Sequence, residues 1–190
     1  MTKIRWGILG AARINERLMP AIINSDQGEL IAIGSRRSGA AKKCLIKNAP
    51  DLEDYVQCFD GLDQVITHEC IDAIYIPLAN EEHTESALKA IRSKKHVLIE
   101  KPITMKVTEL ELIFKEARAN NVNVMEGFMY AFHPQFNRIQ NIIQSNILGE
   151  VNYAHSMFSF PIQPARFYRI NRKISQGGGA LWDIGPYAIH

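Results

Sequence analysis

The residues of this 190-residue chain best placed to do chemistry lie in two short runs far apart in sequence. The first is Glu100-Lys101-Pro102, which closes the apolar run His96-Val97-Leu98-Ile99. A buried strand that ends in a carboxylate, an amine and a proline presents its charges where open α/β sheets bind ligands, beyond the carboxyl ends of strands. Pro102 limits the backbone of Lys101, and Glu100 is placed to orient the ammonium. The bland alternative is an ordinary surface Lys-Pro turn. The second run is Gly177-Gly178-Gly179-Ala180-Leu181-Trp182-Asp183-Ile184-Gly185-Pro186-Tyr187. Its glycines allow close backbone approach to a ligand. If helix runs on through Gly185-Pro186, Asp183 and Tyr187 are four apart and share a face. A carboxylate and a phenol near a lysine ammonium form a proton-transfer set, because a cation favours the phenolate.

A hydroxyl proton needs an acceptor and a hydride needs a carrier, and a nucleotide turn stands at the amino end. In Trp6-Gly7-Ile8-Leu9-Gly10-Ala11-Ala12-Arg13-Ile14-Asn15, three spaced positions correspond to the glycines of a dinucleotide turn. Here they are Gly10, Ala12 and Asn15. Ala12 is tolerable, and Asn15 is bulky for a position that packs helix on strand. The amides of Arg13 and Ile14 open the following helix towards a diphosphate. At the end of the second strand, Ser35-Arg36-Arg37 stands where NAD sites usually carry an acidic residue. Two guanidinium groups and a hydroxyl suit a 2′-phosphate. NADP is therefore the expected cofactor, with NAD as the alternative; solvated helix-entry charges are the bland reading of the arginines. Between these segments, Pro77-Leu78-Ala79-Asn80-Glu81-Glu82-His83 follows another strand at the same sheet edge. Asn80 and His83 are placed to hydrogen-bond near the cofactor, unless Asn80 simply caps the next helix.

The elements that must position these residues follow from periodicity. Strands are expected over residues 4–10, 30–35, 55–59, 71–76, 96–100 and 122–126. Helices are expected over 13–24, with a bend at Pro20, and over 39–47, 62–67, 82–93 and 108–120. Unbroken apolar strands alternating with helices make βαβ units. The expected fold is α/β: a doubly wound parallel Rossmann sheet over residues 1–125, followed at 126–190 by the start of an α+β substrate domain. In that second part a helix is expected over 134–145, a strand over 151–160 and a helix from Ala180. A lone strand and an unfinished helix do not complete a domain, so the second unit reads as cut short.

Composition sets limits. The chain is 46% hydrophobic and 22% charged, with 22 basic against 20 acidic residues and a net charge of +2. That balance gives no electrostatic reason to expect nucleic acid or an anionic membrane as partner. Apolar runs are strand-sized, and the run after Met1 is too short for a signal core, so a cytoplasmic location is expected. Three cysteines without paired spacing read as reduced thiols, and the six scattered histidines give no reason to expect a metal.

Five segments in order resemble the glucose–fructose oxidoreductase / inositol dehydrogenase (Gfo/Idh/MocA) family: Trp6-Gly7-Ile8-Leu9-Gly10-Ala11-Ala12, Pro77 to His83, Glu100-Lys101-Pro102, Met125-Glu126-Gly127-Phe128-Met129-Tyr130, and the triple glycine with Asp183 and Tyr187. Met129-Tyr130 and His133-Pro134, with tyrosine four after Asp183, are most similar to the branch of dihydrodiol and NADP-dependent D-xylose dehydrogenases. The resemblance implies an oxidoreductase moving a hydride between a nicotinamide cofactor and a CH–OH group of a sugar or cyclic diol. It implies that Lys101 contacts nicotinamide ribose and substrate, that Asp183 and Tyr187 line the reacting hydroxyl, and that Tyr187 is the general acid/base. Asn15 and Ala131 depart from the usual pattern. The family's large open sheet, which often carries a dimer interface, is almost wholly absent from these residues, which leaves a homodimer doubtful. Two rivals stay open: a nucleotide-binding homologue or truncated remnant without turnover, and an interaction protein whose strand over 151–160 adds to a partner's sheet.

Overall fold

A computed structural model describes residues 2–190. The chain divides into two compact units, one ending at Glu126 and the other spanning Gly127–His190. The first unit holds six strands: β1 (Ile4–Leu9), β2 (Gly28–Gly34), β3 (Gln57–Phe59), β4 (Ala73–Ile76), β5 (His96–Ile99) and β6 (Val124–Glu126). Its helices are α1 (Asn15–Ile23), α2 (Ala40–Asn48), α3 (Asp63–Ile66), α4 (His83–Arg92) and α5 (Val107–Asn120). The strands form one sheet in the order β3-β2-β1-β4-β5-β6, and every pairing is parallel. This is the strand order of the doubly wound dinucleotide fold.

Strand alternation builds a core on each face. Ile8, Ile33 and Tyr75 point to one side and pack with Met19 of α1 and Leu45 of α2. Their neighbours Leu9, Ala32, Ile74 and Ile76 point to the other, against Val65 of α3, Ala87 and Ile91 of α4 and Ile113 of α5. All four residues of β4 are buried, as its unbroken apolar run requires. Helix α1 begins two residues later than expected. Asn15 N–H donates to the Ala12 carbonyl and Glu16 N–H to Arg13, so residues 12–14 form a tighter i→i+3 turn first. The helix then runs on through Pro20 to Ile23.

The second unit contains α6 (Pro134–Gln144), α7 (Tyr168–Asn171), α8 (Ala180–Asp183) and α9 (Gly185–Ile189). The strand expected over residues 151–160 does not form. A strand is defined by its ladder, and among the described residues no neighbour exchanges backbone bonds with this segment. The single helix expected from Ala180 is broken as well. Ile184 has φ −124° and ψ −22°, and Pro186 lies in the first turn of α9. Proline has no N–H to donate back to residue 182, so α8 stops and α9 starts afresh.

At the amino ends of the sheet, Arg5 clasps Asp72 through its Nε (2.9 Å), its Nη2 (2.7 Å) and its backbone N–H (2.9 Å), tying β1 to the entry of β4. Hydrogen bonding from Arg5 holds the Asp72 carboxyl at about 2, below its ordinary 3.8. A depressed carboxyl stabilises the fold above its unfolded pKa and loses that contribution as pH falls through the folded one. Both side chains are more than a third exposed, so the gain is small and salt-screened. In acid titrations followed by circular dichroism, Asp72→Asn should lower stability at pH 7 and flatten the loss between about pH 4 and pH 2; an unchanged acid slope would contradict this.

Candidate functional site

Parallel strands gather their carboxyl ends at one edge, and the loops that leave them meet there. At the end of β1 the chain turns at Gly10, whose φ of +109° disfavours any side chain. Its N–H donates to the Gly34 carbonyl at the end of β2 (2.7 Å). A Cβ at Gly10 would meet Leu78 Cδ2 at 2.9 Å, in the loop after β4. Three loops thus converge on a position where the backbone disfavours a side chain and a methyl group would displace the end of Leu78. Beyond it, Ala12 is half-buried, Arg13 is exposed, and Ile14 packs against the core beneath α1. The amides here precede the hydrogen-bonded turns of α1, and first-turn amides of a helix have no partner within it. This geometry fits a diphosphate: open backbone, no intruding Cβ, and a helix amino end.

Asn15 fills its position in a way that the sequence did not reveal. It is wholly buried, and its Nδ2 donates to the Gly10 carbonyl (2.9 Å) and approaches Cys44 Sγ (3.4 Å). Where glycine would let helix and strand pack closely, the amide braces the turn from below. Its Oδ1 is buried without a hydrogen-bond partner among the described residues.

At the end of β2, Ser35 is buried and its hydroxyl accepts the Arg37 N–H (3.3 Å). The Arg37 guanidinium reaches back to the Ala11 carbonyl (3.1 Å), and Arg36 forms an ion pair with Glu82. Asp60, after β3, accepts the Ser38 hydroxyl and the Gly39 N–H (2.8 Å), which holds its carboxyl below the usual range.

In the loop after β4, Pro77 is buried, and Asn80 opens a 3₁₀ turn over Asn80–Glu82. Asn80 does not cap α4. Glu82 takes the N-cap position, and its carboxylate accepts the Ala79 N–H (3.3 Å). His83 departs from expectation too. The ring is fully buried, with Nδ1 2.8 Å from the Pro102 carbonyl and Nε2 3.1 Å from the Leu78 carbonyl. Both ring nitrogens face carbonyls of the protein, so His83 joins the loops that follow β4 and β5. Only a doubly protonated ring could donate to both carbonyls. Burial opposes that charge more strongly, and the pKa lies below the ordinary 6.5.

Lys101 is half-buried, and its peptide bond to Pro102 is cis. Each flank is anchored. Glu100 accepts the Tyr75 hydroxyl (2.7 Å), the Pro102 carbonyl meets His83, and the Ile103 N–H donates to Glu126 Oε1 at the end of β6 (2.8 Å). Tyr75 and Glu126 were not singled out as site residues. A lone phenol in an aliphatic buried strand demands a partner, which was the available signal.

Asp183 and Tyr187 belong to the second unit, in separate short helices. Asp183 accepts a charged hydrogen bond from Arg169, and its side chain is 10% exposed. The Tyr187 ring packs among Phe158 (5.4 Å), Phe128 (5.9 Å) and Tyr130 (6.1 Å). The glycine run serves the backbone of its own unit. A Cβ at Gly178 would meet the Arg172 carbonyl at 2.0 Å, and Gly179 N–H donates to the Arg169 carbonyl (3.1 Å). Among the described residues no cluster of three metal-ligating side chains occurs, and no helix is long and apolar enough to cross a membrane.

A family model described as an oxidoreductase family with an NAD-binding Rossmann fold matches residues 4–128. The chain belongs to the GFO/IDH/MocA oxidoreductase family. The curated relatives of this GFO/IDH/MocA chain include a dTDP-3,4-didehydro-2,6-dideoxy-alpha-D-glucose 3-reductase from Actinomadura kijaniata, 33% identical over 98% of this chain and 54% of that protein. Another is an NADP(+) D-xylose 1-dehydrogenase from Haloferax volcanii, 31% identical over 97% of this chain and 54% of that protein. A crystal structure of a 3-ketoreductase from Actinomadura kijaniata, in complex with NADP and TDP-benzene, superposes with a TM-score of 0.87 at 33% identity. It covers 98% of this chain and 55% of that one. The chain therefore spans about half the length of the curated relatives it matches.

For this family member the buried imidazole gives a direct test. His83→Phe keeps an aromatic ring and removes the one N–H that a neutral imidazole donates to a carbonyl, which should cost about 1–3 kcal/mol. A depressed histidine pKa stabilises the fold above the unfolded value and loses that contribution as pH falls through the folded one. Denaturant unfolding should therefore show the wild type weakening below about pH 6.5, the ordinary histidine value, and His83→Phe losing that pH dependence. A wild-type curve flat from pH 8 to pH 5 would count against the buried neutral ring.

Proposed function

We propose that this chain binds NADP, with NAD as the weaker alternative, in an oxidoreductase that interconverts a CH–OH group and a carbonyl on a sugar or cyclic diol. The observation that carries the reading is the junction of Gly10, Gly34 and Leu78, a turn whose positive φ disfavours a side chain, flanked by two arginines at the end of β2. Relatives along nearly the whole chain support it, one of them named as an NADP(+) dehydrogenase and one solved with NADP. A small-molecule substrate and a cytoplasmic setting belong to the same reading.

Roles follow from position. Gly10, Ala12, Arg13 and Ile14 receive the diphosphate on open backbone and the start of α1. Ser35, Arg36 and Arg37 receive a 2′-phosphate through charge-assisted hydrogen bonds. Pro77, Leu78 and Asn80 border the nicotinamide, with Glu100 and Lys101 on the adjoining strand end. His83, assigned inside the protein, fixes the loops that carry those groups. The cofactor, when bound, supplies or accepts the hydride. Lys101 holds the substrate oxygen, and Asp183 orients it for Tyr187, which takes the hydroxyl proton on oxidation and returns a proton to the carbonyl oxygen on reduction. That scheme requires the second unit to bring Asp183 and Tyr187 to the Lys101 end of the sheet.

Titration of the purified chain against NADPH and NADH, read by nicotinamide fluorescence, tests the reading. One charge-assisted hydrogen bond contributes about 1.5–3 kcal/mol, so NADPH should bind roughly tenfold or more tighter than NADH. Undetectable binding of both nucleotides would sink the proposal. Where sugar or diol oxidation is measurable, Lys101→Met, which removes a donor to the reacting oxygen, should slow turnover by about 10²–10³-fold.

A further inference from the structure

The ion pair between Arg36 and Glu82 has no assigned purpose in the fold. Its partners leave different strands: Arg36 lies two residues past the end of β2, and Glu82 six past the end of β4. In the sheet order β2-β1-β4, β1 lies between those strands, and its end carries the Gly10 turn. The pair therefore spans the mouth of the turn from one flank to the other. Arg37, reaching the Ala11 carbonyl, marks the same crossing. Glu82 is held for this by its own backbone, because its other oxygen accepts the Ala79 N–H. Its side chain is 25% exposed against 63% for Arg36, so the carboxylate is the fixed partner and the guanidinium the movable one.

Resting on the dinucleotide reading, we propose that Glu82 is a specificity-determining residue that stands in for the 2′-phosphate of NADP at Arg36. A 2′-phosphate carries close to two negative charges and three acceptor oxygens, and it competes for the guanidinium against a single carboxylate. The 2′-hydroxyl of NAD carries no charge and leaves Arg36 with Glu82. NADP binding thus exchanges one ion pair for another, while NAD binding exchanges none. Glu82 lowers the preference for NADP below what the two arginines alone would give.

Glu82→Gln removes the charge and keeps an oxygen for the Ala79 N–H. In fluorescence titrations of the full chain, the variant should bind NADPH about two- to fivefold tighter, the range an exposed ion pair supports, with NADH affinity unchanged. In an Arg36→Ala background the same substitution should do nothing to NADPH, a double-mutant cycle that separates competition for Arg36 from a general effect on the loop. Weaker binding of both nucleotides would make the pair a clasp over the ligand and overturn the proposal. So would NADPH affinity unchanged in the single variant, or the same gain with Arg36 absent. If wild-type protein binds NADPH and Glu82→Gln has no effect, only the role of Glu82 falls; if wild-type protein binds neither nucleotide, the dinucleotide reading falls and takes this inference with it.

Discussion

Everything at the functional edge depends on how closely the end of β2 and the Leu78 side chain pack against Gly10. The β1 chain end bonds the end of β2 through a 2.7 Å hydrogen bond, and Leu78 closes in from the far side of β4 to where a Cβ would stand. A parallel sheet makes this unavoidable. Its crossovers return every strand in the same direction, so all carboxyl ends and their loops crowd one edge. The crowding is greatest at the middle strand, where chains diverge to both sides. A residue without a side chain, at positive φ, lets the loops pack without closing the space a ligand needs.

Around Lys101 the same edge is stiffened by side chains that hydrogen-bond within the protein. The Tyr75 hydroxyl anchors Glu100, His83 anchors Pro102, and Glu126 anchors Ile103. These anchors come from β4, the start of α4 and β6, the elements on either side of β5. A flexible four-carbon amine is thus carried on a segment anchored at residues 100, 102 and 103. His83 accepts a depressed pKa as part of this arrangement.

The periodic part of this fold was legible in the sequence, and its long-range partnerships were not. Apolar runs of strand length placed β1 to β6 within a few residues, because burial on both faces leaves a continuous signature. The dinucleotide turn and the family were legible from short motifs. Asn15 was read as too bulky because the pattern specifies size, while the structure uses its amide to bind the Gly10 carbonyl. His83 was expected near the cofactor because its partners, two carbonyls at positions 78 and 102, carry no residue-type signal at all. The glycines at 177–179 were read as ligand-facing for the same reason, since the Arg172 carbonyl that Gly178 approaches is backbone. Residues 151–160 have the composition of a strand, but composition does not supply the neighbour a ladder requires.

A polar site built on this plan leaves few charges waiting. Arg36 is taken by Glu82, Arg37 by the Ala11 carbonyl and Glu100 by Tyr75. On the proposed dinucleotide reading, a ligand's polar contacts at Arg36 and Arg37 would be exchanges, each worth the difference between two pairings. At Arg37 the partner given up is a neutral carbonyl, whereas at Arg36 it is itself an anion, so the two adjacent arginines would contribute unequally.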